Sequence, residues 1–283
     1  MIGIDWGTTS LRAYRLGPRG DILDERSAPK GILSVAAGKF PEVLAAQIAG
    51  WDDDIVVMSG MVGSRQGWVE VPYANCPAGP SELRLKNVKA GVWIVPGLSC
   101  IDPSGVPDVM RGEETQLIGV LDELPARATV CLPGTHSKWA SVEDGRIASF
   151  RTFFTGELFA VLQKHSLLGR MMEEGAPPDE DAFAEGVARS GDEGGLLHHL
   201  FGVRTRGLFG ELRASQAASY LSGILIGHEL RATAAASVYL LGSTEMMDRY
   251  ARAAGYLGVE ATSLDSRAAA RGLYRLGSAI TRT

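Results

Sequence analysis

The stretch Ile4-Asp5-Trp6-Gly7-Thr8-Thr9-Ser10-Leu11-Arg12 decides how this chain is read. Ile2 to Asp5 reads as a short buried strand and Leu11 to Leu16 as a second, joined by the turn Gly7-Thr8-Thr9-Ser10. Gly7 carries no Cβ, so the backbone can turn tightly there and a ligand can come close. The turn's N–H groups and three successive hydroxyls offer donors to phosphate oxygens, as in an anion-binding nest. Arg12 adds a charge-assisted contact. Asp5, at the strand end beside the nest, is placed to hold the water shell of Mg2+, an ion that keeps several of its waters. The plainer alternative is an ordinary hairpin in which Asp5 caps a backbone N–H.

A second copy favours the phosphate reading. Thr129 to Leu132 reads as a strand, Gly134-Thr135-His136-Ser137 as a turn, Lys138 to Val142 as a strand, Asp144-Gly145 as a tight turn and Arg146 to Thr152 as a third strand. Gly7-Thr8-Thr9-Ser10-Leu11-Arg12-Ala13 and Gly134-Thr135-His136-Ser137-Lys138-Trp139-Ala140 agree at their Gly, Thr, Ser and Ala positions. That agreement recurs within the same strand-turn-strand-turn-strand context, which indicates an internal duplication. The second copy has Leu132-Pro133 where the first has its Asp. Two hydroxyl-rich turns and one metal-associated carboxylate suit one triphosphate and one metal ion. His136 is read as a donor in preference to a base, and Lys138 is expected on the strand.

Working outward, Phe40 to Ile48 has helical spacing with Pro41 near its start. Ile55 to Met58 is a continuous apolar run, read as a strand buried on both faces, and it ends in Ser59-Gly60. Met61 to Ser104 is rich in Gly, Pro and aromatics, with Val92 to Val95 its clearest strand, and is expected to be a functional loop region. Helices are expected over 113–124, 157–172, 181–200 and 208–236. Val238 to Leu241 then reads as a strand, Thr244 as the cap of a helix running to Gly255, Val259 to Thr262 as a strand, and Asp265-Ser266 as the start of a last helix. Strands followed by helices indicate an α/β protein.

Composition narrows the function classes. The chain has 283 residues, 45% hydrophobic and 22% charged, and a formal net charge of −5. A nucleic acid would select a basic face, so none is expected as partner. Cys76, Cys100 and Cys131 form no CxxC pair and no Cys/His cluster, which argues for reduced thiols. No apolar run approaches the roughly 20 residues of a membrane span, and the chain opens without a signal-like segment, so a cytoplasmic location is expected. Walker-type GxxxxGK[ST], GxGxxG after a strand, and GxSxG are all missing from the sequence, against P-loop, Rossmann and α/β-hydrolase readings.

The first turn resembles the first phosphate motif of the sugar-kinase/actin/heat-shock ATPase superfamily, and Gly134-Thr135-His136-Ser137 resembles the second. Val238 to Gly242, with Ser243, resembles its adenosine motif. Three further stretches, Met58 to Trp68, Pro107 to Gln116 and Leu132 to Trp139, make the whole chain similar to the 2-dehydro-3-deoxygalactonokinase family. That family phosphorylates the 6-hydroxyl of 2-keto-3-deoxygalactonate.

The resemblance implies two RNase-H-like, actin-like ATPase lobes with an interlobe nucleotide cleft. The first would comprise residues 1–111 with a C-terminal helix over 266–283, and the second residues 112–265. It implies ATP and Mg2+ as cofactors, with Asp5, Gly7, Thr8, Thr9, Ser10, Arg12, Gly134, Thr135, His136, Ser137, Gly242 and Ser243 on the nucleotide and Asp5 on the metal. Such kinases use an Asp base ahead of the second phosphate motif. Asp108 lies 26 residues before Gly134 and fits that role, with a helix N-cap as its alternative and Glu113 or Glu114 as substitutes for the base. A sugar acid carries a carboxylate, which calls for an Arg: Arg65 or Arg111. Ser59, Met61, Val62 and Gly63 follow the carboxyl end of a buried strand, where open α/β sheets bind ligands. Trp68 and Tyr73 either pack on the sugar chain or serve the core. The alternatives are a kinase of another sugar acid, such as 2-keto-3-deoxygluconate, and a non-catalytic actin-like nucleotide-binding regulator. No membrane partner is expected, and a homodimer stays open.

Overall fold

The computed structural model describes residues 1–280. The N-terminal elements are β1 (Ile2–Trp6), β2 (Leu11–Leu16), β3 (Ile22–Ala28), α1 (Phe40–Gln47), β4 (Val56–Gly60), β5 (Ala74–Asn75), β6 (Lys86–Lys89) and β7 (Val92–Ile94). Next come β8 (Leu98–Ile101), β9 (Pro107–Met110), α2 (Glu113–Val120), β10 (Arg127–Leu132), β11 (Ser137–Glu143) and β12 (Arg146–Phe153). The chain continues through α3 (Thr155–His165), α4 (Glu180–Arg189), α5 (Gly195–Leu208) and α6 (Ala214–Thr233). It closes with β13 (Ser237–Leu240), α7 (Thr244–Tyr256), β14 (Glu260–Ser263) and α8 (Ala268–Ser278).

The duplication read in the sequence is present in the sheets. One sheet has the order β3-β2-β1-β4-β7-β6 and another the order β12-β11-β10-β13-β14. With the edge strand β6 set aside and each sheet's strands counted in chain order, both run 3-2-1-4-5. In the first, β1, β2 and β3 form an antiparallel meander while β4 and β7 extend the sheet in parallel. In the second, β13 runs parallel to β10 and β14 parallel to β13.

Two compact units make up the chain: residues 1–128, 140–151 and from Asp265 onward in one, and residues 129–139 and 152–264 in the other. In the first unit β1 is buried on both faces. Ile2, Ile4 and Trp6 pack with Phe40 and Leu44 of α1. Gly3 faces α8, where a Cβ would stand 3.1 Å from Leu273. The sequence reading puts the lobe edge at 111, with α2 beyond it, whereas this unit runs to Ala128. The reason is packing: Gly119 and Gly272 let α2 and α8 approach closely, and Arg275 of α8 donates to the Ile118 carbonyl at 2.9 Å. Of the C-terminal helix expected over 266–283, residues 281–283 lie outside the described residues.

In the second unit, β10, β11 and β13 share a core with Phe183 and Val187 of α4, Ile226 and Leu230 of α6, and Met247 and Tyr250 of α7. A second cluster joins α4, α5 and α6 through Ala182, Val203, Leu221 and Ile224. Helix boundaries depart from the apolar spacing where glycine intervenes. The helix expected over 181–200 is split in two, because Gly194 and Gly195 adopt positive φ, 114° and 72°, and the chain turns between α4 and α5. Gly210, also at positive φ, precedes α6 and shortens the segment expected over 208–236. The helix expected over 157–172 ends at His165, and a separate 3-10 turn follows at Gly169–Met171. The expected loop region from Met61 to Ser104 in fact contributes β5 to β8, and β5-β8-β9 form a third sheet. These strands are too short for a two-residue period to register. Among the described residues no helix is long and apolar enough to cross a membrane.

Candidate active site

In the first unit the turn Gly7–Ser10 leaves the end of β1, and the Gly7 N–H donates to the Ser10 carbonyl at 2.9 Å. Thr8, Thr9 and Ser10 are exposed. Ile32 and Leu33 brace the turn by donating N–H bonds to the carbonyls of Gly7 and Thr8. Asp5 pairs with Arg12 across β1 and β2 and with Ser59 across β1 and β4. Burial raises the Asp5 carboxyl above its ordinary pKa, and the charge of Arg12 opposes that rise only in part. Asp5 is half-buried, and its carboxyl is the hard oxygen donor that a hydrated cation favours. Among the described residues no group of three or more His, Cys, Asp or Glu side chains is set to hold a metal. An ion at Asp5 would therefore lean on water and phosphate oxygens, which is the habit of Mg2+.

The same end of the first sheet gathers several expected substrate residues. Ser59 is fully buried, with its hydroxyl unpaired. Gly60 has φ 90° and leads into a 3-10 turn at Met61–Gly63. A Cβ on Gly63 would stand 3.0 Å from Nη1 of Arg111. Arg111, only 9% exposed, lies over the Tyr73 ring at 4.3 Å and donates from Nη2 to the Val71 carbonyl at 2.8 Å. Its Nε and Nη1 donors are buried and unpaired. Arg65 differs in kind: its side chain is 86% exposed and pairs with Glu70. Trp68 packs against the first unit's core.

Asp108 lies on β9 opposite Cys100 of β8, half-buried, with one oxygen accepting the Val109 N–H at 2.7 Å. It does not cap a helix, since the N-cap of α2 is Gly112 at φ 109°. Glu113 accepts the Arg111 N–H at 3.0 Å. Glu114 is fully buried, accepting the Gly112 N–H at 2.6 Å and the Thr115 hydroxyl at 2.9 Å. Burial and the neighbouring charge of Glu113 push its pKa up to about 8.

In the second unit the turn Gly134-Thr135-His136 links β10 to β11, occupying the position that Gly7–Ser10 holds in the first sheet. Gly134 is half-buried, and Thr135 and His136 are exposed. His136 Nε2 lies 2.5 Å from Glu157 Oε2, and its ring stacks on Phe154. Ser137 breaks the parallel with Ser10, because it is fully buried and its hydroxyl lies 2.9 Å from that of Tyr250. Lys138 is on β11 and donates to the Thr152 hydroxyl at 2.8 Å. Gly242 and Ser243 leave the end of β13, beside β10, where a Cβ on Gly242 would stand 3.6 Å from the Pro133 carbonyl. Ser243 is the N-cap of α7. A cavity of about 300 Å³ lies against the Gly134 turn, its lining including Gly134, Thr135, Thr155, Gly156, Ser222, Arg249 and Tyr250 with the apolar Phe159, Leu225, Ile226 and Met246.

The sequence reading missed Thr155 and Tyr250, which line this cavity, and Glu229, which accepts a hydrogen bond from each. A faint signal was available in Glu229, the lone acid within the apolar run Leu225-Ile226-Gly227-His228-Glu229-Leu230.

Comparison with known proteins places this architecture among relatives. The family model described as 2-keto-3-deoxy-galactonokinase matches residues 5–276. A 2-dehydro-3-deoxygalactonokinase from Escherichia coli strain K12 is 38% identical over 277 residues, covering 93% of this chain and 92% of its own. A crystal structure of a Sinorhizobium meliloti protein assigned as a 2-dehydro-3-deoxygalactonokinase superposes with a TM-score of 0.92 at 34% identity, covering 99% and 98% of the two chains. The activator of 2-hydroxyisocaproyl-CoA dehydratase from Clostridium difficile, solved with bound ADPNP, shares the fold at 16% identity, with a TM-score of 0.55 over 100% of this chain and 96% of its own.

Proposed function

Because the chain belongs to the 2-keto-3-deoxy-galactonokinase family, we propose that it transfers the γ-phosphoryl group of ATP to the 6-hydroxyl of 2-dehydro-3-deoxy-D-galactonate. The observation that carries this reading is the repeated strand order with a Gly-Thr turn at the same point of each sheet. Phosphoryl transfer asks a protein mainly for positioning and charge neutralisation. Backbone N–H groups and hydroxyls of the turns at Gly7 and Gly134 supply donors to phosphate oxygens, and Arg12 supplies a positive charge. In the second unit, the cavity lined by Gly134 and Thr135 takes the nucleoside. Asp5 holds Mg2+ through its waters, and the bound ion supplies further neutralisation of phosphate charge.

The acceptor lies against the first unit. Arg111 holds the substrate carboxylate in preference to Arg65, because its buried Nε and Nη1 lack acceptors while Arg65 extends into solvent. A buried unpaired donor is costly, and a carboxylate supplies the acceptor that one of these donors lacks. Asp108 takes the proton of the attacking hydroxyl. Glu113 is its rival for that role. Glu114, with its carboxyl oxygens engaged by Gly112 and Thr115 and its pKa raised to about 8, is the weaker candidate.

A coupled ADP-release assay against a panel of 2-keto-3-deoxy acids, aldonates and free sugars tests the reading. The expected outcome is the highest kcat/KM on 2-keto-3-deoxygalactonate. A higher value on the gluconate epimer would reassign the substrate, and no ATP-dependent turnover on any acceptor would overturn the kinase reading.

A further inference from the structure

The core of the second unit holds a carboxylate that apolar packing does not call for. Glu229 lies in the last two turns of α6 and is 2% exposed, with Ile226 and Leu230 of the same helix in the apolar core. A leucine would serve that core equally well, and burying a carboxylate costs free energy unless its lone pairs are met. Here they are met. Trp139 Nε1 donates to Oε1 at 2.7 Å, the Tyr250 hydroxyl donates to Oε2 at 2.9 Å, and the Thr155 hydroxyl donates to Oε2 as well. The Ser137 hydroxyl lies 2.9 Å from that of Tyr250 and joins the same network.

These four side chains have one thing in common. Ser137 closes the Gly134-Thr135-His136 turn and Trp139 continues the same strand. Thr155 is the first residue of α3, and that helix start is tied to the turn directly, since the Glu157 N–H donates to the Thr135 carbonyl at 2.9 Å. Gly156 lies so close that a Cβ there would stand 2.8 Å from the Cα of Thr135. Tyr250 and its neighbour Arg249 line the cavity beside the turn. We infer that Glu229 is a positioning residue for nucleotide binding. It fixes the strand that leaves the second Gly-Thr turn, the α3 start bonded to that turn, and Tyr250 of α7. The substrate phosphates never touch it. Preorganised donors bind without the cost of ordering them first, so loosening this support reads out as lost nucleotide affinity.

The inference rests on the kinase reading for its nucleotide, and its test separates the two. Tyr250→Phe removes one hydroxyl and keeps the ring, and Thr155→Val does the same for α3. Both are compared with Glu229→Gln and with Thr155→Ser, which retains the hydroxyl. Calorimetric titration of the full chain with Mg-ADP needs no acceptor sugar, so it still reports if the substrate assignment is wrong. The expected result is a loss of Mg-ADP affinity of about five- to tenfold in Tyr250→Phe and Thr155→Val. Recovery in Thr155→Ser is expected, along with a raised KM for ATP and a KM for the sugar acid unchanged within about twofold. A purely structural pin would lower the melting midpoint and leave both constants alone. Unchanged Mg-ADP affinity in folded Tyr250→Phe and Thr155→Val overturns the inference, whatever becomes of Glu229→Gln.

Discussion

Gly112 rests its backbone on Gly60: a Cβ on Gly112 would stand 3.3 Å from the Cα of Gly60, and one on Gly60 would stand 2.7 Å from the Trp6 carbonyl oxygen. Both residues have positive φ, 109° and 90°, a region that side chains disfavour. This contact draws the ends of β1 and β4 to the start of α2. It gathers Asp5, Ser59, Arg111 and Glu113 in one part of the first unit.

Gly112→Ala is therefore expected to destabilise the protein by about 1–2 kcal/mol through backbone strain and the lost close approach. Thermal melting checks it, and a midpoint within a degree of the parent would show that the contact tolerates a methyl group.

Asp108→Asn is expected to abolish turnover while the affinity for ATP stays within a few-fold, because only proton removal from the acceptor is lost. Glu113→Gln is the paired variant. Should Asp108→Asn turn over at the parental kcat while Glu113→Gln is inactive, the base is Glu113.

Arg111→Lys keeps the positive charge and loses the planar fork, so the sugar-acid KM should rise by about tenfold with the ATP KM nearly constant. Arg65→Ala should change neither by more than about twofold. Steady-state kinetics with each substrate varied in turn decides between them. The reverse pattern would move the carboxylate to Arg65.

Glu114 links stability to pH. Its folded pKa of about 8 lies above the ordinary carboxyl value of 4.5, so between those values the folded state binds a proton that the unfolded state has released. Its contribution is fully present below pH 4.5 and is lost as pH rises toward 8. Glu114→Gln, which cannot ionise, should flatten the fall in denaturation midpoint between those values. Parallel pH profiles for parent and variant would remove Glu114 as the cause.

The sequence by itself determined the duplicated turn, the strands beside it and the family, because those features are local or short-range: a glycine where the backbone must turn, hydroxyls next to it, and a buried apolar run before it. Apolar spacing located most helices but not their ends, since the glycines at positive φ that split α4 from α5 act through backbone conformation and leave no mark on hydrophobic period. Only the tertiary structure decided that Ser137 turns inward where Ser10 faces out, that Arg111 is buried and Arg65 is not, and that Asp108 sits on a strand. It alone brought Glu229 to Ser137, Trp139, Thr155 and Tyr250, which are scattered over more than a hundred residues of sequence. Burial and hydrogen bonding between distant segments belong to packing, and no residue carries that information until its neighbours are in place.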